Sequence, residues 1–120
     1  MTISTLRTAT AGFLMAAMLA GSTVFASTIE RVDAYRTDVW RAQVYAGIPV
    51  QVTVDGDGDT DLDLYIYDEY GRMVASDDDL TDYCIGSWTP RFTGMVTIRI
   101  VNRGPVFNRY VINVRGGTLL

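Results

Sequence analysis

Five aspartates stand at alternate positions in one nine-residue stretch, Asp55-Gly56-Asp57-Gly58-Asp59-Thr60-Asp61-Leu62-Asp63. Carboxylates at that density repel unless a cation sits among them. Oxygen-only ligands in a flexible loop suit calcium, a hard cation. In an extended strand, residues two apart lie roughly 6.6 Å from one another. That is too far for all five to grip one ion through bonds of about 2.3–2.6 Å. Gly56 and Gly58 remove the objection, because they let the backbone curl and aim several carboxylates inward. The stretch is not an EF-hand: counted from Asp55, position 6 is Thr60 where glycine is needed, and position 12 is Ile66 where glutamate is needed.

A second cluster, Asp77-Asp78-Asp79, follows a turn signal at Glu69-Tyr70-Gly71. If that turn closes a hairpin, Asp68 pairs with Arg72 and Ile66 with Val74. Asp63 then falls opposite Asp77, and Asp61 lies near Asp79. Like charges directly opposite are destabilising, and a dication between them would relieve the repulsion. The expected ligands are Asp55, Asp57, Asp59, Asp61, Asp63, Asp77, Asp78 and Asp79, with Ca2+ as the cofactor. Magnesium suits the site less, since it takes fewer protein carboxylates. The plainer alternative is a solvated acidic loop in which Asp and Gly serve as ordinary turn residues. Two carboxylates also raise glycoside hydrolysis, but nothing in the sequence buries a carboxyl among apolar side chains.

The charge is unevenly placed. The chain of 120 residues has fourteen acids and ten basic residues, all of them arginine. Ser27–Val54 carries three of each sign; Asp55–Asp82 has eleven acids against Arg72 alone, net −10; Tyr83–Leu120 has five arginines and no acid, net +5. With no histidine, histidine-based triads and histidine-ligated zinc are excluded. One cysteine excludes a disulfide framework within the chain. A net acidic chain also makes a poor nucleic-acid partner.

The elements that must position these acids read as short strands. Val39–Tyr45 is rich in strand formers, Ile48–Val54 alternates strictly, and Asp61–Asp68 places Leu62, Leu64 and Ile66 on one face with Asp61, Asp63, Tyr65 and Tyr67 on the other. Arg72–Ser76, Tyr83–Thr89, Gly94–Asn102 and Phe107–Arg115 follow, the last two joined by the turn signal Asn102-Arg103-Gly104-Pro105. No segment holds a helical period. About 7–8 strands indicate an all-β fold, an antiparallel β-sandwich or barrel.

Residues 1–26 have the three-part layout of a secretory signal peptide. Arg7 lies in a short first region, Ala11–Ala20 is apolar, and Val24-Phe25-Ala26 offers small residues for cleavage. Ten apolar residues fall short of the roughly 20 needed to span a membrane. The expectation is cleavage near Ala26 and a single β-sandwich domain over 27–120, periplasmic or secreted, with no membrane span in the mature chain.

Asp55–Gly71 together with Ser76-Asp-Asp-Asp79, Ser87-Trp-Thr-Pro90, Gly94–Asn102 and Asn108-Arg-Tyr110 resembles the bacterial pre-peptidase C-terminal domain family over about residues 35–115. The resemblance implies a jelly-roll sandwich of the kind attached to secreted proteases and itself non-catalytic. The collagen-binding modules of bacterial collagenases are similar and bind calcium. Carried onto this chain, it points to Asp57, Asp59, Asp61 and Asp77–Asp79 as the ion site. The expectation is a domain that stands alone behind its signal peptide with no protease before it, which leaves the family's role for a host enzyme without a counterpart.

Other residues admit two uses each. Cys84 is either a reactive or intermolecularly bridged thiol or, more commonly, a small buried hydrophobe beside Trp88. Tyr65 and Tyr67 either contact a partner or pack under a neighbouring element. Arg99, Arg103 and Arg109 either bind an anionic partner or pair with the acidic face. The expected function is an exported, non-catalytic calcium-binding module whose partner is an extracytoplasmic protein or polysaccharide. The alternative is a carbohydrate-binding module with Tyr65, Tyr67 and Trp88 as its platform.

Overall fold

Val50, Val52 and Val54 all point inward from one strand, and Leu62, Leu64 and Ile66 from the next. Burying each such side chain contributes roughly 1.5–3 kcal/mol, so their period of two decides which face of each strand is inside. The computed structural model describes Leu6–Arg7 and Ser27–Leu120. Its strands are β1 (Leu6–Arg7), β2 (Ser27–Val32), β3 (Thr37–Val44), β4 (Val50–Asp55), β5 (Leu62–Tyr67), β6 (Met73–Asp77), β7 (Tyr83–Trp88), β8 (Gly94–Asn102), β9 (Asn108–Arg115) and β10 (Gly117–Leu119). There is no helix among the described residues, hence none long and apolar enough to cross a membrane. Apart from Leu6–Arg7, the segment read as a signal peptide lies outside the described residues.

Two sheets face one another. One runs β3-β8-β5-β6, with β1 and β10 both on the far edge of β3; the other runs β2-β9-β4-β7. The pairings nest: β2 with β9, β3 with β8, β4 with β7, β5 with β6, all antiparallel. The chain is therefore one long folded hairpin, wrapped so that alternate pairs fall in opposite sheets. This is jelly-roll order, the expected architecture. The tip of the hairpin is the turn at Asp68–Arg72, where Asp68 N–H donates to the Arg72 carbonyl at 2.8 Å and Gly71 takes φ 81°. The Asp68 carboxylate also accepts from the Tyr70 and Arg72 amides, and these bonds hold it below the usual carboxylate range.

Expected strands recur within a residue or two. Ile48 is the exception in the second: it is exposed, and β4 begins after Pro49, which has no amide to donate. The register of the β5–β6 hairpin differs from expectation. Tyr67 pairs with Met73, but Ile66 pairs with Ala75, so Val74 is an extra residue on β6. The bulge carries Asp77 opposite Leu64 rather than Asp63.

The core includes one polar chain. Trp40 Nε1 donates to Tyr110 Oη at 2.9 Å, and Tyr110 Oη donates to Asp38 Oδ2. Burial, then the nearby Asp38 charge, push the Tyr110 phenol far above its ordinary range, so it remains a donor. Cys84 is buried, with Sγ 3.1 Å from the Leu62 carbonyl, and burial pushes its thiol up to about 12. The commoner reading of this cysteine is the observed one.

Two outcomes follow from this core. Tyr110→Phe removes the acceptor of Trp40 Nε1 and one donor to Asp38 and should cost about 1–3 kcal/mol in urea unfolding; a loss below about 0.5 kcal/mol would contradict the network. Cys84 should resist an aromatic disulfide reagent at pH 8 until the protein is unfolded, and rapid labelling of the folded protein would contradict its burial.

Candidate cation site

The loop between β4 and β5 folds back on Asn108, the first residue of β9. Asn108 is fully buried. Its Nδ2 donates to the Thr60 carbonyl, Thr60 Oγ1 and Asp82 Oδ2, and its Oδ1 accepts from the Asp57 amide. Asp82 Oδ2 also accepts from Gly58 N–H at 2.6 Å. Gly58 takes φ 89°, and a Cβ at Gly56 would collide with the Asp82 carboxylate. The two glycines therefore do curl the chain as expected, but around an asparagine and a ninth acid.

Several expected ligands are occupied in building the loops. Asp57 accepts from the amides of Asp59 and Arg109. Asp77 accepts from the Asp79 and Ile85 amides, and Asp79 accepts from the Thr81 amide and hydroxyl. These are the turn-forming bonds that short acidic side chains make well. Asp55, Asp59 and Asp78 are exposed. Among the described residues no three acidic or thiol side chains are gathered as a finished metal cage.

Asp61 and Asp63 behave differently. Asp63 is only 5 % exposed. Its Oδ2 accepts from Arg103 Nε at 2.7 Å and from Tyr65 Oη at 3.2 Å, but its Oδ1 is buried without a partner. Asp61 Oδ1 is likewise buried and unpartnered. Desolvation raises the Asp61 carboxyl above its ordinary value, and the charges of Asp63, Asp79 and Asp82 raise it further against Arg103. Asp61 thus feels the charge of acids from both stretches, Asp82 among them, an acid the alternating pattern missed. Sequence alone gave no sign of desolvation at any carboxyl here; folding partly desolvates Asp61.

The arginines divide. Arg103 crosses to Asp63 and also donates to Tyr65 Oη at 3.3 Å. Arg109 instead lays its guanidinium over Phe107, 5.6 Å from the ring centre. Arg99 has no ion pair among the described residues. Tyr65 and Tyr67 are half-buried on the outer face of the β3-β8-β5 sheet, whereas Trp88 lies in the other sheet, against the core. The expected three-ring platform is therefore split, because β5 and β7 belong to opposite sheets.

No family model and no curated protein matches the chain. Solved structures with the same fold include the pre-peptidase C-terminal domain of collagenase from Bacillus anthracis, at TM-score 0.60 and 12% identity over 74% of this chain and 89% of that one. They also include the Yersinia pseudotuberculosis-derived mitogen, at 0.55 and 9% over 76% and 84%. A third is Aeromonas hydrophila PliG, a periplasmic lysozyme inhibitor of g-type lysozyme, at 0.55 and 11% over 80% and 86%. At such identities the likeness is one of fold, and the resemblance drawn from Asp55–Gly71 is met at that level.

The raised Asp61 carboxyl gives a signed prediction for the calcium-free protein. The folded state holds this proton more tightly than the unfolded chain, so the stability it contributes is present at low pH. It is lost as pH rises from the ordinary carboxylate value through the raised one. In chelator, Asp61→Asn should raise Tm at pH 7 and change it little near pH 3. A lower Tm at pH 7 would show the carboxylate to be already well compensated.

Proposed function

We propose that this chain is an exported, non-catalytic β-sandwich module that binds a protein or glycan outside the cytoplasm, with calcium completing its acidic end. The observation that carries the calcium reading is the pair of buried, unpartnered oxygens, Asp61 Oδ1 and Asp63 Oδ1. A buried polar atom without a partner costs roughly 1–3 kcal/mol, more when charged. Two of them two residues apart, with Asp79 and Asp82 nearby, form a donor set that a hard cation would satisfy. Asp61 and Asp63 would hold the ion, Asp79 and Asp82 would add charge, and exposed Asp59 and Asp78 could close on it from the loops. Bound calcium would add to the positive charge that, among the described residues, Arg103 brings to Asp63.

The binding role is supported by fold-mates that include a periplasmic lysozyme inhibitor and a domain of a collagenase. Export rests on the layout of residues 1–26. The solved periplasmic relative in fold is consistent with an extracytoplasmic place.

Calcium titration with Tm as readout tests the proposal. At tenfold excess over Kd the ion contributes about 1.4 kcal/mol, or roughly 6–11 °C for a domain of this size. Magnesium should give less, and Asp61→Asn with Asp63→Asn should abolish the response. No shift at 10 mM calcium would overturn the cation reading.

A further inference from the structure

The outer face of the β3-β8-β5 sheet carries an arrangement that the acidic end does not explain. Outward positions fall in register: Val39, Arg99 and Tyr65 form one row, and Arg41, Thr97 and Tyr67 the next. Arg41 and Arg99 are therefore diagonal neighbours, with Cβ atoms roughly 7 Å apart. Neither guanidinium has an ion pair among the described residues. Two like charges this close, uncompensated, on a chain of net charge −4, are a local reversal of the molecule's overall sign.

The face is also shaped. It forms an open trough of about 1040 Å³, above the roughly 300–1,000 Å³ of small-molecule pockets. An open face of this extent can lie against an extended chain segment. Tyr65 is fixed in the trough wall by its bonds to Asp63 and Arg103, which reduces the ordering cost of using it in binding. At the rim, Tyr35 is 69 % exposed and held at φ 58°, a left-handed conformation that a tyrosine rarely adopts. The trough's acids, Asp68 and Glu69, lie together at the hairpin tip, and Asp68 is already bonded to Arg72. The lining holds three tyrosines and three arginines, residue types that mark the energetic centres of protein–protein interfaces.

We infer that this trough docks an acidic segment of a partner protein, with Arg41 and Arg99 meeting its carboxylates and Tyr35, Tyr65 and Tyr67 packing along its chain. The inference rests on the binding-module reading above and names the partner class for a different surface from the cation site. Composition favours a protein over an acidic glycan, since arginine and tyrosine together are enriched at the centres of protein–protein interfaces.

The test uses purified protein and a fluorescein-labelled octaglutamate peptide, read by anisotropy, with octalysine and polygalacturonate as comparison probes. The expected result is binding of octaglutamate that weakens with salt and falls at least tenfold in the double variant Arg41→Ser, Arg99→Ser. Arg91→Ser, outside the trough, should bind as the parent does. Circular dichroism and Tm verify that the variants fold. Absence of peptide binding, or equal binding by the double variant, would overturn the inference. So would polygalacturonate binding through Arg41 and Arg99 without peptide binding, which would assign the face to a glycan. The calcium response of the double variant separates the two proposals, because Asp61 and Asp63 are untouched. Peptide failure with a retained calcium shift sinks only the trough, and a missing calcium shift with retained peptide binding sinks only the cation site.

Discussion

Asp63 sends its carboxylate into the edge of a β-sandwich, and Arg103 is the cation that meets it, at 2.7 Å. Much of the acidic end depends on that meeting. Asp63 is on β5, while Arg103 follows β8 in Tyr83–Leu120, the segment with five arginines and no acid. Antiparallel pairing of β5 with β8 brings the two regions together. The Arg103 amide also donates to the Asp61 carbonyl at 2.9 Å, so the same residue secures the loop backbone. One arginine cannot neutralise Asp61, Asp63, Asp79 and Asp82 together, and two buried oxygens are left over.

Two asparagines close the loops at this end. Asn108 ties the β4–β5 loop to Asp82, and Asn102 donates to the carbonyls of Val32, Asp33 and Val106 while accepting from Gly104. Both are buried, and both are neutral. A neutral amide can bridge acidic loops without adding a charge that would have to be solvated. The two amides thus add bonds but no charge to loops that several carboxylates also brace, and the unpartnered buried oxygens are those of Asp61 and Asp63.

Much of this was legible in the residues. Strict alternation in Val50–Val54 and Leu62–Ile66 located two core strands and their inward faces, and Gly71 marked the hairpin tip. The signal failed where it depended on counting across a turn. A single extra residue at Val74 shifted Asp77 from Asp63 to Leu64, and nothing in Arg72–Ser76 announces a bulge. Asn108 and Asp82 had no local pattern either, since their roles arise from long-range pairing of β9 and of the β6–β7 loop with the β4–β5 loop. The division of Tyr65 and Tyr67 from Trp88 likewise follows from nested pairing, which assigns successive hairpin strands to opposite sheets. Charge asymmetry was visible from the start, but which arginine answers which acid required the register.

Diffraction from crystals grown in calcium chloride, with anomalous data collected at long wavelength, is the most direct test of what completes the acidic end. The expected result is an anomalous peak within about 2.3–2.6 Å of Asp61 Oδ1 and Asp63 Oδ1, with Asp79 or Asp82 drawn toward it. No peak there, with both oxygens still unpartnered or bonded only to water, would contradict the cation reading.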